Sequence, residues 1–268
     1  MISLVTATIG RTKEVGLLLE SLKKQTFKDF ELIIVDQNPH NIIADIVELY
    51  KDTMSIRYIK SYEKGLSRNR NIGLKHCNGN IIGFPDDDCT YSENVLQEVH
   101  DILSMGKYRF CVVEAMDPTN GQIYISKETC ALKRKNILKK CISINFFVIN
   151  PCDVCFDENL GVGAKFGSGE ETDYLWQILN NNDIGRFLPS ARVYHLAGAA
   201  SCNYDRAFKY GLGFGAIFKK EIIHRRNILS IWSYMWYIIR TIGGCIIGPN
   251  RLFYIYTLKG RIVGFLKY

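Results

Sequence analysis

Two hydrophobic periods alternate over the first hundred residues, and that alternation leaves the chain few folds to choose from. Ile2–Thr8, Phe30–Val35, Ile56–Lys60 and Ile81–Phe84 are short apolar runs rich in β-branched residues, the pattern of strands in a covered sheet. Between them Lys13–Lys24, Asn41–Tyr50 and Ser67–Cys77 read as helices, and Glu93–Leu103 reads as another. The first helix is the clearest, with Val15, Leu18, Leu19 and Leu22 on one face. This rhythm predicts an α/β fold with a mostly parallel sheet flanked by helices.

Ligands of such sheets collect beyond the carboxyl ends of the strands. Three stretches fall at those ends and are expected to converge: Thr6–Arg11, Asp36 and Phe84-Pro85-Asp86-Asp87-Asp88. The last is the densest chemistry in the chain. Adjacent carboxylates repel one another and lose hydration at a strand end, so folding alone gives no reason to place them there. A hard divalent cation bound through carboxylate oxygens gives one.

The middle of the chain is less regular. Tyr108–Glu114, Gln122–Ile125 and Ile144–Asn150 read as strands. Gly161, Gly163, Gly167 and Gly169 crowd one short segment, which is expected to be a mobile loop. A helix starts at Gly169-Glu170-Glu171-Thr172-Asp173, and Arg192-Val193-Tyr194 reads as a strand ending at His195.

With 268 residues the chain can bury one substantial core and a small appended part. Its net charge of +7 is uneven: residues 1–200 hold 23 Lys+Arg against 25 Asp+Glu, whereas 201–268 hold 11 against 2. The expected division is therefore a near-neutral body over 1–200 and a basic, aromatic helical tail over 201–268. The nine cysteines are odd in number, several lie in apolar or catalytic-looking stretches (Cys77, Cys89, Cys111, Cys245), and no signal peptide leads the chain. These features predict free thiols in a reducing cytoplasm. Cys152-Asp153-Val154-Cys155 has CxxC spacing, but no second pair or nearby His completes a zinc set.

Five blocks stand in a telling order: Ser3-Leu4-Val5-Thr6-Ala7-Thr8-Ile9-Gly10-Arg11; Glu31-Leu32-Ile33-Ile34-Val35-Asp36; Gly65-Leu66-Ser67-Arg68-Asn69-Arg70-Asn71-Ile72-Gly73; Phe84-Pro85-Asp86-Asp87-Asp88; and Gly169-Glu170-Glu171-Thr172-Asp173. On these the chain, from Ile2 to about Ala197, resembles the family 2 glycosyltransferases, inverting enzymes of the nucleotide-sugar-binding, Rossmann-like GT-A type. The resemblance implies that Thr6, Thr8 and Arg11 line the nucleotide pocket and that Asp36 accepts hydrogen bonds from the base. Arg68 and Asn71 lie one helical turn apart and are expected to face the nucleotide together, with Gly65 and Gly73 permitting close backbone approach. Asp86-Asp87-Asp88 stands as the family's DxD motif. Asp86 and Asp87 are expected at the nucleotide, and Asp86, Asp88 and His195 at a Mg²⁺ or Mn²⁺ ion.

An inverting transfer also needs a base for the acceptor hydroxyl, a contribution of about 10²–10⁴-fold. The family has its acidic pair at the Glu170–Asp173 helix start. Glu171 is the expected base, with Glu170 and Asp173 as alternatives. The family's usual second acid is Asp, so Glu171 adds one methylene of reach, and Gln37 replaces a second Asp found in many relatives.

In the tail, Ile228–Ile247 approaches the roughly 20 apolar residues of a membrane span but carries Arg240 near its centre. Trp232, Tyr234, Trp236 and Tyr237 suit a headgroup interface. The tail is expected to lie on the anionic inner face of the cell membrane; the other reading packs it as a helical pair on the body. Nucleic acid is not an expected partner, since no recognised module accompanies the basic charge. The expected function is a metal-dependent, hexosyltransferase-like enzyme moving a sugar from a UDP or dTDP donor to a lipid-linked glycan acceptor in cell-surface polysaccharide biosynthesis. A polyprenyl-phosphate sugar transferase and a non-catalytic nucleotide- or glycan-binding module are the alternatives.

Overall fold

The computed structural model describes residues 1–119, 121, 131–180, 182–196 and 203–268. The strand expected at Gln122–Ile125 and the boundary expected near residue 200 lie outside the described residues. The chain forms two compact units. One holds Met1–Lys64, Arg68–Cys155 and the stretch from Tyr174 through the last strand. The other holds Gly65–Ser67, Phe156–Asp173 and the C-terminal helices.

The chain opens with β1 (Ile2–Thr8), α1 (Lys13–Lys23), β2 (Phe30–Asp36), α2 (Ala44–Glu48), β3 (Ser55–Lys60), α3 (Leu66–Leu74) and β4 (Ile81–Gly83). It continues with β5 (Cys89–Tyr91), α4 (Val95–Ser104), β6 (Phe110–Met116), β7 (Leu132–Lys133), α5 (Ile137–Lys140), β8 (Phe146–Ile149), α6 (Glu170–Ile178) and β9 (Ile184–His195). Among the described residues these strands form one nine-stranded sheet in the order β3-β2-β1-β4-β8-β6-β9-β5, with β7 also on β9. Strands β3, β2, β1 and β4 make the expected parallel part. Beyond β4 the sheet is mixed, because β8 runs antiparallel to both β4 and β6.

The parallel part shows how the sequence pattern produces the packing. β2 is buried along its length, and Val15, Leu18, Leu19 and Leu22 of α1 are buried in the same core. Glu31 survives inside β2 because Ser3 Oγ (2.6 Å), Asn78 N (2.6 Å) and Asn78 Nδ2 (3.1 Å) donate to it. Burial pushes its pKa up, but these hydrogen bonds outweigh it and hold the carboxyl below its ordinary value. Helix α3 lies against β1 through Gly73, where a Cβ would stand 2.4 Å from Val5 Cγ1. It stops at Leu74 rather than Cys77, since His76 and Cys77 turn back in three-residue bonds to Gly73 and Leu74. α2 is shorter than its expected span, with Val47 its one buried residue.

Two registers bring distant parts of the sequence together at one end of the sheet. Thr8 pairs with Asp36, so the carboxyl ends of β1 and β2 adjoin. Cys89 pairs with His195, which draws the end of β9 to the residues after β4. Strands of three residues such as β5 carry no readable period, and this pairing was not foreseen.

The second unit is helical: α7 (Tyr204–Lys219), a π-type turn at Lys220–His224, α8 (Leu229–Ile247) and α9 (Arg251–Lys267). Asn203 and Asn250 cap α7 and α9 by accepting from Arg206 N (3.0 Å) and Phe253 N (3.2 Å). α7 and α9 meet along a seam of glycines. A Cβ at Gly211 would lie 2.6 Å from Thr257 O, at Gly215 2.1 Å from Arg261 O, at Gly260 2.3 Å from Phe208 O and at Gly264 2.1 Å from Leu212 O.

Segment Phe156–Asp173 folds with these helices through charge. Lys220 Nζ joins Asp157 (2.6 Å) to Asp173 (2.7 Å), and Arg225 joins Asp173 (2.6 Å) to Glu221 (3.0 Å). Tyr268 Oη also donates to Asp157. The glycines in this segment answer to geometry rather than to the expected mobility. Gly161 and Gly169 take left-handed φ values of +98° and +92°, and a Cβ at Gly169 would stand 2.8 Å from Ile217.

The seam and the charge network can each be tested by substitution. Gly264→Ala should cost roughly 1–3 kcal/mol by forcing the seam apart. Gly243→Ala on α8, where a Cβ meets nothing within 4 Å, should leave the melting temperature unchanged or higher; equal losses in the two variants would disprove the seam. For Asp157, burial raises the pKa, yet Lys220, Tyr268 and the Asn159 backbone N–H outweigh it and bring the carboxyl to about 2. A folded pKa below the unfolded one stabilises the fold above the unfolded value, and that stability is lost as pH falls through about 2. Asp157→Asn should therefore cost about 2 kcal/mol at neutral pH, and its deficit in urea unfolding should shrink between about pH 4 and pH 2. A deficit constant across that range would exclude the linkage.

Candidate active site

The first unit gathers charge at the carboxyl ends of β1, β2 and β4. After β1 the chain turns at Gly10, whose N–H donates to Asn38 Oδ1 (2.6 Å), and this bond ties the loop after β1 to the loop after β2. Arg11 then reaches the aspartates beyond β4: its Nη1 lies 2.5 Å from Asp87 Oδ1 and 2.6 Å from Asp88 Oδ2. His195 Nε2 stands 3.3 Å from Asp88 Oδ1. Arg70 Nη2 donates to Asp86 Oδ1 (2.8 Å), and Ser143 Oγ lies 3.3 Å from both Asp86 oxygens. The convergence expected from strand ends is present, and each carboxylate has a cation beside it.

These partners divide the triplet electrostatically. Asp87 is the buried member, and desolvation lifts its pKa despite Arg11. Asp88 is also pushed up by burial, but His195 and Arg11 prevail and hold it below its ordinary value. The hydrogen bond to Asp88 raises His195 in turn. Cys89, the next residue, is a buried thiol whose Sγ lies 3.1 Å from Asp86 O; desolvation raises its pKa well above normal and keeps it neutral.

Three expected nucleotide residues are placed otherwise. Asp36 is 0% exposed and accepts from Asn38 N (2.8 Å), Asn38 Nδ2 (2.6 Å), Tyr58 Oη (2.6 Å) and Lys60 Nζ (3.0 Å). A carboxylate offers about four acceptor positions, and these four donors occupy them. Asp36 instead braces Asn38, Tyr58 and Lys60. Burial raises its pKa, and these bonds more than reverse the effect. Thr6 and Thr8 are likewise enclosed rather than lining an open pocket.

The arginine of the helix is also corrected. Arg68 is 45% exposed and pairs with the surface residue Glu63 (2.8 Å), whereas Asn71 is buried. Arg70 is the site arginine: 1% exposed, paired with Asp86, its guanidinium 5.9 Å from the Phe84 ring centre. Gly73 could have disclosed this. A glycine packed on the sheet three residues later marks the inward face of α3, and Arg70 lies on it.

The second unit carries the acidic helix start. Gly65 takes a left-handed φ of +116°, and Leu66 N bonds Val162 O (3.1 Å). Of the three acids, Asp173 is fully buried with both oxygens committed to Lys220 and Arg225, so no acceptor hydroxyl can reach it. Glu170 is buried beneath Gly161, where a Cβ would meet its Cδ at 2.9 Å. Glu171 is the partly exposed one and forms no ion pair among the described residues.

No three His, Cys, Asp or Glu side chains among the described residues form a ready metal cage. Mg²⁺ typically takes one or two carboxylates from the protein and the rest from phosphates and water. The oxygens of Asp86 and Asp88, with the His195 imidazole beside them, fit an ion that arrives with a diphosphate.

Comparison with known proteins gives the family and the fold of the chain. The model of glycosyl transferase family 2 matches residues 3–142. A GalNAc(5)-diNAcBac-PP-undecaprenol beta-1,3-glucosyltransferase from Campylobacter jejuni is 32% identical over 204 residues, 73% of this chain and 64% of that protein. The chain spans between 32% and 64% of the length of three such relatives. Staphylococcus aureus TarS 1–349 superposes with a TM-score of 0.71 at 19% identity, covering 98% of this chain and 80% of that one, and its UDP-GlcNAc complex with a TM-score of 0.65. A Pyrobaculum calidifontis mannosyltransferase in complex with GDP-Man and Mn²⁺ gives 0.64 at 10% identity, covering 98% and 86%. These likenesses show the GT-A fold.

The two arginines supply the test of the site. Arg70→Ala leaves Asp86 without its buried partner and should cost about 2–4 kcal/mol, whereas Arg68→Ala breaks an exposed pair and should cost under about 1 kcal/mol. Urea unfolding measures both, and equal costs would reject the placement of Arg70.

Proposed function

The chain belongs to glycosyl transferase family 2, and from that premise we propose that it transfers a sugar from a UDP or dTDP donor to a lipid-linked glycan acceptor with inversion at the anomeric carbon. The observation that carries the reading is the compensated triplet Asp86–Asp88 at the carboxyl ends of β1 and β4. Arg11 is the exposed cation of that cluster, free to leave the aspartates for a diphosphate, with which it can form paired hydrogen bonds. Arg70 stays buried and keeps Asp86 oriented. Asp88, with Asp86 and His195, would hold Mg²⁺ or Mn²⁺, which when bound neutralises charge on the departing diphosphate. Glu171 accepts the proton of the attacking hydroxyl; its partial exposure, and the absence of an ion pair to it among the described residues, support this role over Glu170 and Asp173. The lipid-linked acceptor draws support from the undecaprenol-linked substrate in the name of the Campylobacter relative.

A panel of nucleotide sugars, assayed with Mn²⁺ and with EDTA, tests the proposal. One donor should release nucleoside diphosphate, and EDTA or Asp88→Ala should abolish that release. Glu171→Gln should lower transfer about 10²–10⁴-fold without weakening donor binding. Full activity in Glu171→Gln would move the reading to a phosphate acceptor, and metal-independent turnover would remove the triplet from the mechanism.

A further inference from the structure

Helix α8 turns Tyr234 and Tyr237 onto Phe214 and Phe218 but leaves a large apolar face outside. Its buried residues are the polar Ser230 and Thr241, while Ile231, Trp232, Met235, Trp236, Ile239 and Ile246 face water. These six recur three, four or seven positions apart, so they form one stripe along the helix. Trp232 is 77% exposed and Trp236 62%. On α9, Leu252, Ile255, Ile262 and Leu266 are exposed as well. An apolar surface of this extent on a water-facing helix marks an interaction site.

Charge selects the partner. From Ile222 to Tyr268 the sequence has no Asp or Glu but seven Arg and Lys. Arg225 and Arg261 are engaged internally, Arg225 with Asp173 and Arg261 with Tyr237 O (2.8 Å). Arg226, Arg240, Arg251, Lys259 and Lys267 are exposed. A symmetric dimer through this face would set these cations against one another with no acid between them. No helix among the described residues is long and apolar enough to cross a membrane. Trp and Ile on one side of a helix with exposed cations around it match the interface of an anionic bilayer.

We propose that the exposed face of α8 and α9 docks on an anionic lipid bilayer, with Trp232 and Trp236 entering the headgroup region and Arg240, Arg251 and Lys259 meeting lipid phosphates. The proposal goes beyond the transferase reading and does not rest on it, because the test contains neither donor nor acceptor.

The full chain is sedimented with vesicles of phosphatidylglycerol and phosphatidylethanolamine, and separately with phosphatidylcholine alone. It should pellet with the anionic vesicles, lose binding as salt shortens the Debye length, and shift its tryptophan emission to the blue. The third tryptophan, Trp176, is already buried, so the shift reports on α8. Trp232→Ser/Trp236→Ser should lower the partition coefficient about tenfold or more. Arg240→Glu/Arg251→Glu should lower it too while leaving thermal unfolding unchanged, which guards against a folding defect. Absence of pelleting with anionic vesicles, equal binding to phosphatidylcholine, or full binding by both variants would overturn the proposal. So would a dimer in sedimentation equilibrium that Trp232→Ser/Trp236→Ser dissolves, since the face would then belong to a second copy.

Discussion

Three consecutive carboxylates cannot share a strand end unless positive charge meets them there, and the first unit is organised around that requirement. Each cation comes from a different element: Arg11 from the turn after β1, Arg70 from α3 and His195 from the end of β9. The pairing of β1 with β4 and of β5 with β9 is what brings them within reach. Of the two arginines, the buried Arg70 serves as a fixed brace, because moving it would strand Asp86. Arg11 is the more exposed of the two, its side chain 41% accessible. A site made of one fixed and one movable arginine can hold its shape while empty and still answer to a phosphate group.

The parallel half of the sheet was legible because its signals are local. Continuous apolar runs and the face of α1 depend only on neighbours in sequence, and the strands fell within a residue or two of expectation. The convergence of Arg11 with Asp86–Asp88 was legible too, since strand ends in such a sheet must gather; His195 was expected beside them from the family resemblance alone, without the β5–β9 pairing that brings it there. What stayed hidden depends on occupancy. No pattern tells whether the lone pairs of a carboxylate are taken, so Asp36 read as a ligand although Asn38, Tyr58 and Lys60 saturate it. Asp173 read as a possible base for the same reason, its partners Lys220 and Arg225 lying far along the chain. Arg68 was preferred to Arg70 because it lies one helical turn from Asn71, yet Arg68 pairs outward with Glu63 while Arg70 is buried beside Phe84.

Glycine was the most ambiguous letter. In Gly161–Gly169 it read as mobility, yet the structure uses it for left-handed turns and for contact with Glu170 and Ile217. Along α7 the same residue type read as nothing in particular, and there it lets two helical backbones touch. In the tail, the sequence showed aromatic and basic residues together, but which of them α8 leaves outside, Trp232 and Trp236 among them, appears only in the structure. The absence of acids from Ile222 to Tyr268 is visible without any structure.

The seam between α7 and α9 carries a genetic consequence. A first- or second-base change in any glycine codon introduces a side chain or ends translation, so Gly211, Gly215, Gly260 and Gly264 have no conservative neighbour in codon space. Even alanine, the mildest outcome, would set a methyl against a carbonyl oxygen. Drift at these four positions is therefore closed one step at a time, and any homologue that varies one of them must carry compensating movement of the whole C-terminal helical pair. The arrangement of those helices should consequently change in jumps between lineages, while the apolar stripe of α8 can wander residue by residue.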